Sequence, residues 1–281
     1  MSVGRISERS RKSVVTIGSH HATGGMSLTP EWIGTGFLVG VMTESENEAG
    51  KRKLYLVTNK HVVEGLRFIL VRISPLSGGP SCDVHVPLIG TSGVPLYTQH
   101  PTPEIDIVAI SIDKYLTNVN LNDIACFTPE TSCLKIEQMA ELGMSEGSAV
   151  YALGFPMSLV DQTHSYPICR LGCISRIEGS FKGLDPVDFL VDAQVFPGNS
   201  GGPVVANCPD GEGVGDTRLI GIVHSYIPYK EVLVSSQTGR PRSTMEENSG
   251  LSMVHPVDRI LEAVKLEDSR IELSHVKRGA L

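Results

Sequence analysis

The chain has 281 residues, a net charge of −7 and 41% hydrophobic residues. That length suits one large domain or two small ones and is ample for a sizeable core. The acidic balance argues against nucleic acid or an anionic membrane surface as a partner, and no apolar run approaches the ~20 residues that span a bilayer.

In chain order, residues 1–12 are polar and basic and predict a disordered or loosely docked arm. This start lacks the apolar core of a secretory signal peptide, which points to a cytoplasmic protein. Short apolar runs then recur at 13–17, 33–41, 53–59, 67–73, 84–88 and 105–112, so a first β unit is expected over 13–125. Residues 114–146 read as a polar, irregular connection. A second set of runs lies at 148–154, 168–177, 188–193, 203–206, 218–225 and 250–254. With 29 glycines and 17 prolines punctuating these runs, the fold class is all-β. After Pro256, the spacing of Val257, Ile260, Leu261 and Val264 predicts a helix, so the second unit runs over 126–266. Residues 267–281 read as a charged tail. Two segments read as loops: Thr43 to Lys53, a charged hairpin tip, and Ile227 to Ser249, long and polar. Long structureless loops in compact domains are usually functional or disordered.

The chemistry centres on Phe196-Pro197-Gly198-Asn199-Ser200-Gly201-Gly202-Pro203. Glycine lets backbone N–H groups approach a ligand closely. A serine held there can attack a carbonyl while an oxyanion hole at Gly198, Asn199 and Ser200 holds the developing charge, chiefly through the N–H groups of Gly198 and Ser200. A serine hydroxyl needs an adjacent base. Upstream, Leu54-Tyr55-Leu56-Val57-Thr58-Asn59-Lys60-His61 is an apolar run ending on a histidine, and Glu104-Ile105-Asp106-Ile107-Val108 places a carboxylate between isoleucines. An ionised carboxylate in that setting needs partners, and a histidine is one. The catalytic set is therefore His61, Asp106 and Ser200, in the chain order of the chymotrypsin-type triad.

These segments resemble the chymotrypsin-fold, trypsin-like serine proteases, and within them the bacterial group that includes the HtrA proteases. The match is carried by Gly34-Thr35-Gly36-Phe37-Leu38-Val39, Thr58-Asn59-Lys60-His61-Val62-Val63, Asp106-Ile107-Val108-Ala109, Tyr151-Ala152-Leu153-Gly154-Phe155-Pro156 and Asp192-Ala193 with Pro197 to Pro203. A weaker match is Gly250 to Pro256. The resemblance spans roughly residues 13 to 266. It implies two six-stranded antiparallel Greek-key barrels with a C-terminal helix, a polypeptide substrate and no cofactor. HtrA proteases carry a C-terminal PDZ domain, and this chain ends too early for one to be expected. Secreted trypsins place a cysteine after the catalytic histidine. Here that place is Val62, so the six cysteines read as free thiols in a reducing compartment. Secreted trypsins also carry an aspartate where Asn199 stands, and it pairs with a newly cut N-terminus. Asn199 has no charge, so no such maturation is expected.

By the same resemblance the primary specificity pocket would have Gln194 and Val195 near its base, with Val223, His224, Ser225, Tyr226 and Ser252 as the far wall. No aspartate falls at that base, so an Arg/Lys preference is not implied. His224 has two readings, since a one-residue offset flips a strand side chain to the other face. It either lines the pocket, or it turns toward Asp106 or solvent. His164, Cys169, Cys173 and Cys208 do not have the Cys-x-x-Cys hook of a zinc site, and His20-His21 reads as solvated, so no metal is expected.

Two rival readings stay open. One is a latent protease, or a protease-shaped binding module, that waits for an activating protein partner. The other is an esterase of α/β-hydrolase type, since Gly198 to Gly202 also fits Gly-x-Ser-x-Gly; that fold requires a helix after the serine, whereas Pro203-Val204-Val205 reads as strand.

Overall fold

A computed structural model describes residues 4–19, 30–43, 52–117, 119–183, 188–208 and 216–279, with the side chains of 216 and 275–279 outside the description. The hairpin tip expected near Thr43 to Lys53 and the pair His20-His21 fall largely or wholly outside it.

The first unit comprises helix α1 (Glu8–Lys12), strands β1 (Val14–Ser19), β2 (Glu31–Met42) and β3 (Arg52–Thr58), the single turn α2 (Lys60–Val63), and strands β4 (Phe68–Ile73), β5 (Cys82–Pro87), β6 (Thr98–Gln99) and β7 (Val108–Ser111). Its strands form one curled sheet in the order β5-β4-β1-β2-β3-β7-β6. This sheet has seven strands where the sequence predicts six, because the two-residue β6 adds an edge beside β7. Helix α3 (Ile136–Glu141) lies in the connection.

The second unit holds β8 (Ala149–Gly154), β9 (Ile168–Arg176), α4 (Glu178–Phe181), β10 (Phe189–Asp192), β11 (Pro203–Cys208), β12 (Asp216–Val234), β13 (Pro241–Pro256) and α5 (Val257–Gly279). Its six strands close a barrel in the order β10-β13-β12-β11-β8-β9. Inside it pack Val150, Ile174, Phe189, Val191, Val204, Ile220 and Val254. Residues of both units share a further core that includes Phe37, Tyr55, Phe127, Leu153 and Leu219.

Three segments depart from the sequence reading. The polar stretch 227–249 is not a loop. Most of it is the outer part of a β12/β13 ribbon that pairs from Pro228↔Asn248 to Val234↔Pro241. Gly239, at φ +66°, closes its turn. A ribbon exposed on both faces has no buried side to impose alternation, so its sequence looks like loop. The N-terminal arm is docked from residue 4: Tyr151 Oη donates to Gly4 O at 2.7 Å and the Ser7 N–H donates to Thr217 Oγ1 at 2.9 Å. The expected tail continues α5. Its Glu267 is fully buried and accepts from Thr98 Oγ1 (2.6 Å), the Ser111 N–H (3.1 Å) and Arg270 (2.7 Å). Asp268 accepts from Lys53 and from the Tyr55 hydroxyl, both at 2.6 Å. The helix that ends the second unit is thereby tied to the first.

Candidate active site

His61 sits in the short turn α2, directly after β3, and Asp106 lies just before β7. Because β3 and β7 pair antiparallel, with Thr58 opposite Val108, His61 and Asp106 emerge at the same sheet end. Asp106 meets His61 with both oxygens. Oδ2 lies 2.5 Å from Nδ1, and Oδ1 accepts the His61 backbone N–H at 3.1 Å. Burial would raise the Asp106 pKa, but the hydrogen bonds and charge of His61 outweigh it and hold the carboxyl below its ordinary value. The Asp106 carbonyl is fixed by Asn59 Nδ2 at 2.7 Å. Neither chemical group is deeply sealed: the His61 side chain is 47% exposed, as a cleft residue must be.

Ser200 sits in the turn that leads into β11. The turn is tied across the cleft by Thr35 of β2, which is fully buried. The Thr35 hydroxyl donates to Gly198 O at 2.6 Å and accepts the Phe155 N–H at 3.0 Å, while the Thr35 N–H donates to Ser200 O at 3.0 Å. Gly198 has φ +98°, and a Cβ there would collide with the Phe155 carbonyl, so only glycine fits. The Pro197 carbonyl is turned away onto the Met157 N–H at 2.7 Å. Among the described residues no acceptor takes the N–H of Gly198 or of Ser200. The Asn199 N–H, in contrast, donates to Phe196 O at 2.9 Å and is spent within the turn. Strand β11 follows at Pro203, where an α/β-hydrolase would need a helix.

Beside Ser200 lies an open cavity of about 280 Å³, lined by Val195, Phe196, Pro197, Ser200, Val223, His224, Ser225 and Tyr226. Gln194 is exposed and does not line it. Ser252 is buried behind the wall, where its hydroxyl donates to Ala193 O at 2.9 Å. Phe196 and Pro197 belong to the lining although only their place in the serine motif signals them.

His224 lines the cavity, and its ring nitrogens turn neither to Asp106 nor to solvent but to Asp188 and Ser225. The β12/β13 register steps from Val223↔Val254 to Ser225↔Met253, so His224 is the extra, bulged residue. A bulge re-aims a side chain out of the alternation. The His224 ring touches the cavity, yet its Nε2 lies 3.2 Å from Asp188 Oδ2, and the Ser225 hydroxyl lies 3.2 Å from its Nδ1. His164, Cys169, Cys173 and Cys208 do not gather as ligands. Among the described residues the cluster with suitable atoms close together is Asp188, His224 and His255.

The family model described as trypsin-like peptidase domain matches residues 34–215. No curated protein sequence matches the chain. Among solved structures, it is similar to one titled "HtrA-type protease AlgW with decapeptide", with 17% identity, a TM-score of 0.51, and coverage of 94% of this chain and 66% of that one. It is also similar to the serine endoprotease from Yersinia pestis, with 18% identity, a TM-score of 0.50, and coverage of 95% and 68%. The chain thus spans about two thirds of the length of these proteases. At such identities the likeness is one of fold.

Proposed function

The chain belongs to the trypsin-like peptidase family, and from that premise we propose that it is a serine endopeptidase working through His61, Asp106 and Ser200. The observation that carries the reading is the double engagement of His61 by Asp106. A carboxylate on Nδ1 keeps the proton there and leaves the Nε2 lone pair free. Nε2 takes the Ser200 Oγ proton as Oγ attacks the peptide carbonyl. The N–H groups of Gly198 and Ser200 receive the oxyanion. The tetrahedral species collapses to an acyl-enzyme as Nε2–H protonates the leaving amine, and water activated by His61 then releases the acid. The Asn199 N–H has no part in this, because the turn occupies it.

The substrate is a polypeptide; a decapeptide accompanies the HtrA-type neighbour, which supports that class. The cavity takes an apolar P1 side chain. Its wall is mostly Val195, Phe196, Pro197, Val223 and Tyr226, and the His224 nitrogens already have partners. A cytoplasmic setting belongs to the same reading. The six cysteines are free, and burial pushes the Cys133 thiol up to about 12, which makes it inert.

The test is labelling by a fluorophosphonate probe, with Ser200→Ala beside the wild type. Labelling confined to the wild type is expected, and peptide libraries should then show cleavage after apolar residues. A folded wild type that resists the probe would contradict the reading and turn attention to a latent protease awaiting an activating partner.

A further inference from the structure

Behind the catalytic carboxylate stands a second histidine–carboxylate pair that the triad does not use. His255 lies near the end of β13, in the second barrel, and is almost fully buried. Its Nε2 accepts the backbone N–H of Asp106 at 3.1 Å, across the boundary between the two units. Its Nδ1 lies 2.6 Å from Asp188 Oδ1. The register of β10 against β13 pairs Phe189 with Val254, and this sets Asp188 beside His255. The other Asp188 oxygen, Oδ2, takes His224 Nε2, and the two imidazoles stack with centroids 3.9 Å apart and planes 10° from parallel.

We propose that Asp188 and His255 are positioning residues for the peptidase: Asp188 fixes the His255 tautomer, and His255 in turn fixes the backbone of Asp106 and with it the His61 ring. The proposal rests on the endopeptidase reading for its effect on rate. The proton logic follows from the hydrogen bonds. A ring nitrogen that accepts an N–H carries no proton, so a neutral His255 keeps its proton on Nδ1 and donates it to Asp188. Burial lowers the His255 pKa against the pull of Asp188, which favours the neutral ring. Asp188 stays ionised: burial would raise its pKa, but hydrogen bonds from His224 and His255 hold it well below the ordinary carboxylate range. With Asn59 on its carbonyl and His255 on its N–H, Asp106 is gripped on both sides, once from each unit.

The same geometry disfavours a metal in the cluster. A metal on His255 Nδ1 would push the ring proton to Nε2, where it would face the Asp106 N–H donor. Two donors would then meet with no acceptor between them.

The test compares His255→Leu and His255→Gln. Leucine removes the acceptor, whereas the glutamine Oε1 can replace it. Fluorophosphonate labelling should slow about ten- to hundredfold in His255→Leu, the range for one buried donor left unpaired. His255→Gln should remain close to the wild-type rate. Nitrogen-15 NMR of wild-type histidines should show His255 protonated at Nδ1 and bare at Nε2. A wild-type rate in His255→Leu would overturn the proposal, as would a His255→Gln variant as slow as His255→Leu. So would stoichiometric zinc in the wild type that is lost in His255→Leu. If the wild type itself resists the probe, the endopeptidase reading fails on its own. The NMR tautomer then decides the dyad, and a proton on Nε2 would overturn it.

Discussion

Replacing Thr35 by valine tests how the serine turn is held. Valine keeps the shape of threonine and removes the hydroxyl. Two backbone groups then lose their partner: the half-buried Gly198 carbonyl, bonded at 2.6 Å, and the buried Phe155 N–H, bonded at 3.0 Å. A buried polar group left unpaired costs about 1–3 kcal/mol, so the expected loss is about 2–5 kcal/mol. For a chain of this size that lowers Tm by roughly 5–15 °C. Rate should fall as well, because the freed Gly198 carbonyl no longer pins the peptide beside the oxyanion donors. The expected loss in kcat/KM is about ten- to hundredfold, less than the ~10²–10³ for deleting a donor outright. Thr35→Ser keeps the hydroxyl and should retain most of both properties. Thermal denaturation and peptide hydrolysis of the two variants, side by side, give the answer. A Thr35→Val protein as stable and as active as Thr35→Ser would refute this account of the turn.

Asp106→Asn should fold normally and lose roughly 10⁴ in kcat by presenting the wrong His61 tautomer; hydrolysis within tenfold of wild type would contradict that role. Acid should destabilise the protein in two stages. The folded pKa values of His255, Asp188 and Asp106 all lie below their ordinary ones, so the unfolded chain binds more protons. Stability is therefore full above about pH 6.5, declines as His255 must be protonated on unfolding, and declines further below about pH 4 through the carboxylates. Tm measured from pH 7.5 to 4 should show the upper stage in the wild type and not in His255→Gln; parallel curves would refute the assignment. Replacing 232–246, within the outer ribbon, by a tight turn should leave Tm nearly unchanged, since Val232, Leu233, Val234 and Met245 are all exposed. It should alter cleavage of protein substrates, and unchanged rates would exclude a role for the ribbon.

The proposed chemistry could be read from the sequence because its motifs are local. Gly198 to Pro203 specifies a glycine turn with a serine in it, and Thr58 to His61 ends an apolar strand on a base. Periodicity likewise sufficed for most of the strands and for the start of α5. The proposed triad order needed only the positions of three residues along the chain. Other features depended on register and on distant partners, which no short window contains. Thr35 is one residue of a glycine-rich strand until the fold brings Gly198 and Phe155 to its hydroxyl. The family resemblance placed Gln194, Val195, Val223 to Tyr226 and Ser252 around a pocket, but only the barrel decided that Gln194 faces solvent and Ser252 lies behind the wall. His224 was ambiguous because its orientation turns on a single bulge, and a bulge is set by pairing with β13 rather than by its own sequence. Asp188 and His255 are 67 residues apart in the chain and meet only because β10 pairs with β13. Local sequence fixes which groups can react; closure of the barrel against the first sheet decides which of them touch, because side-chain direction in a sheet follows the register of its neighbours.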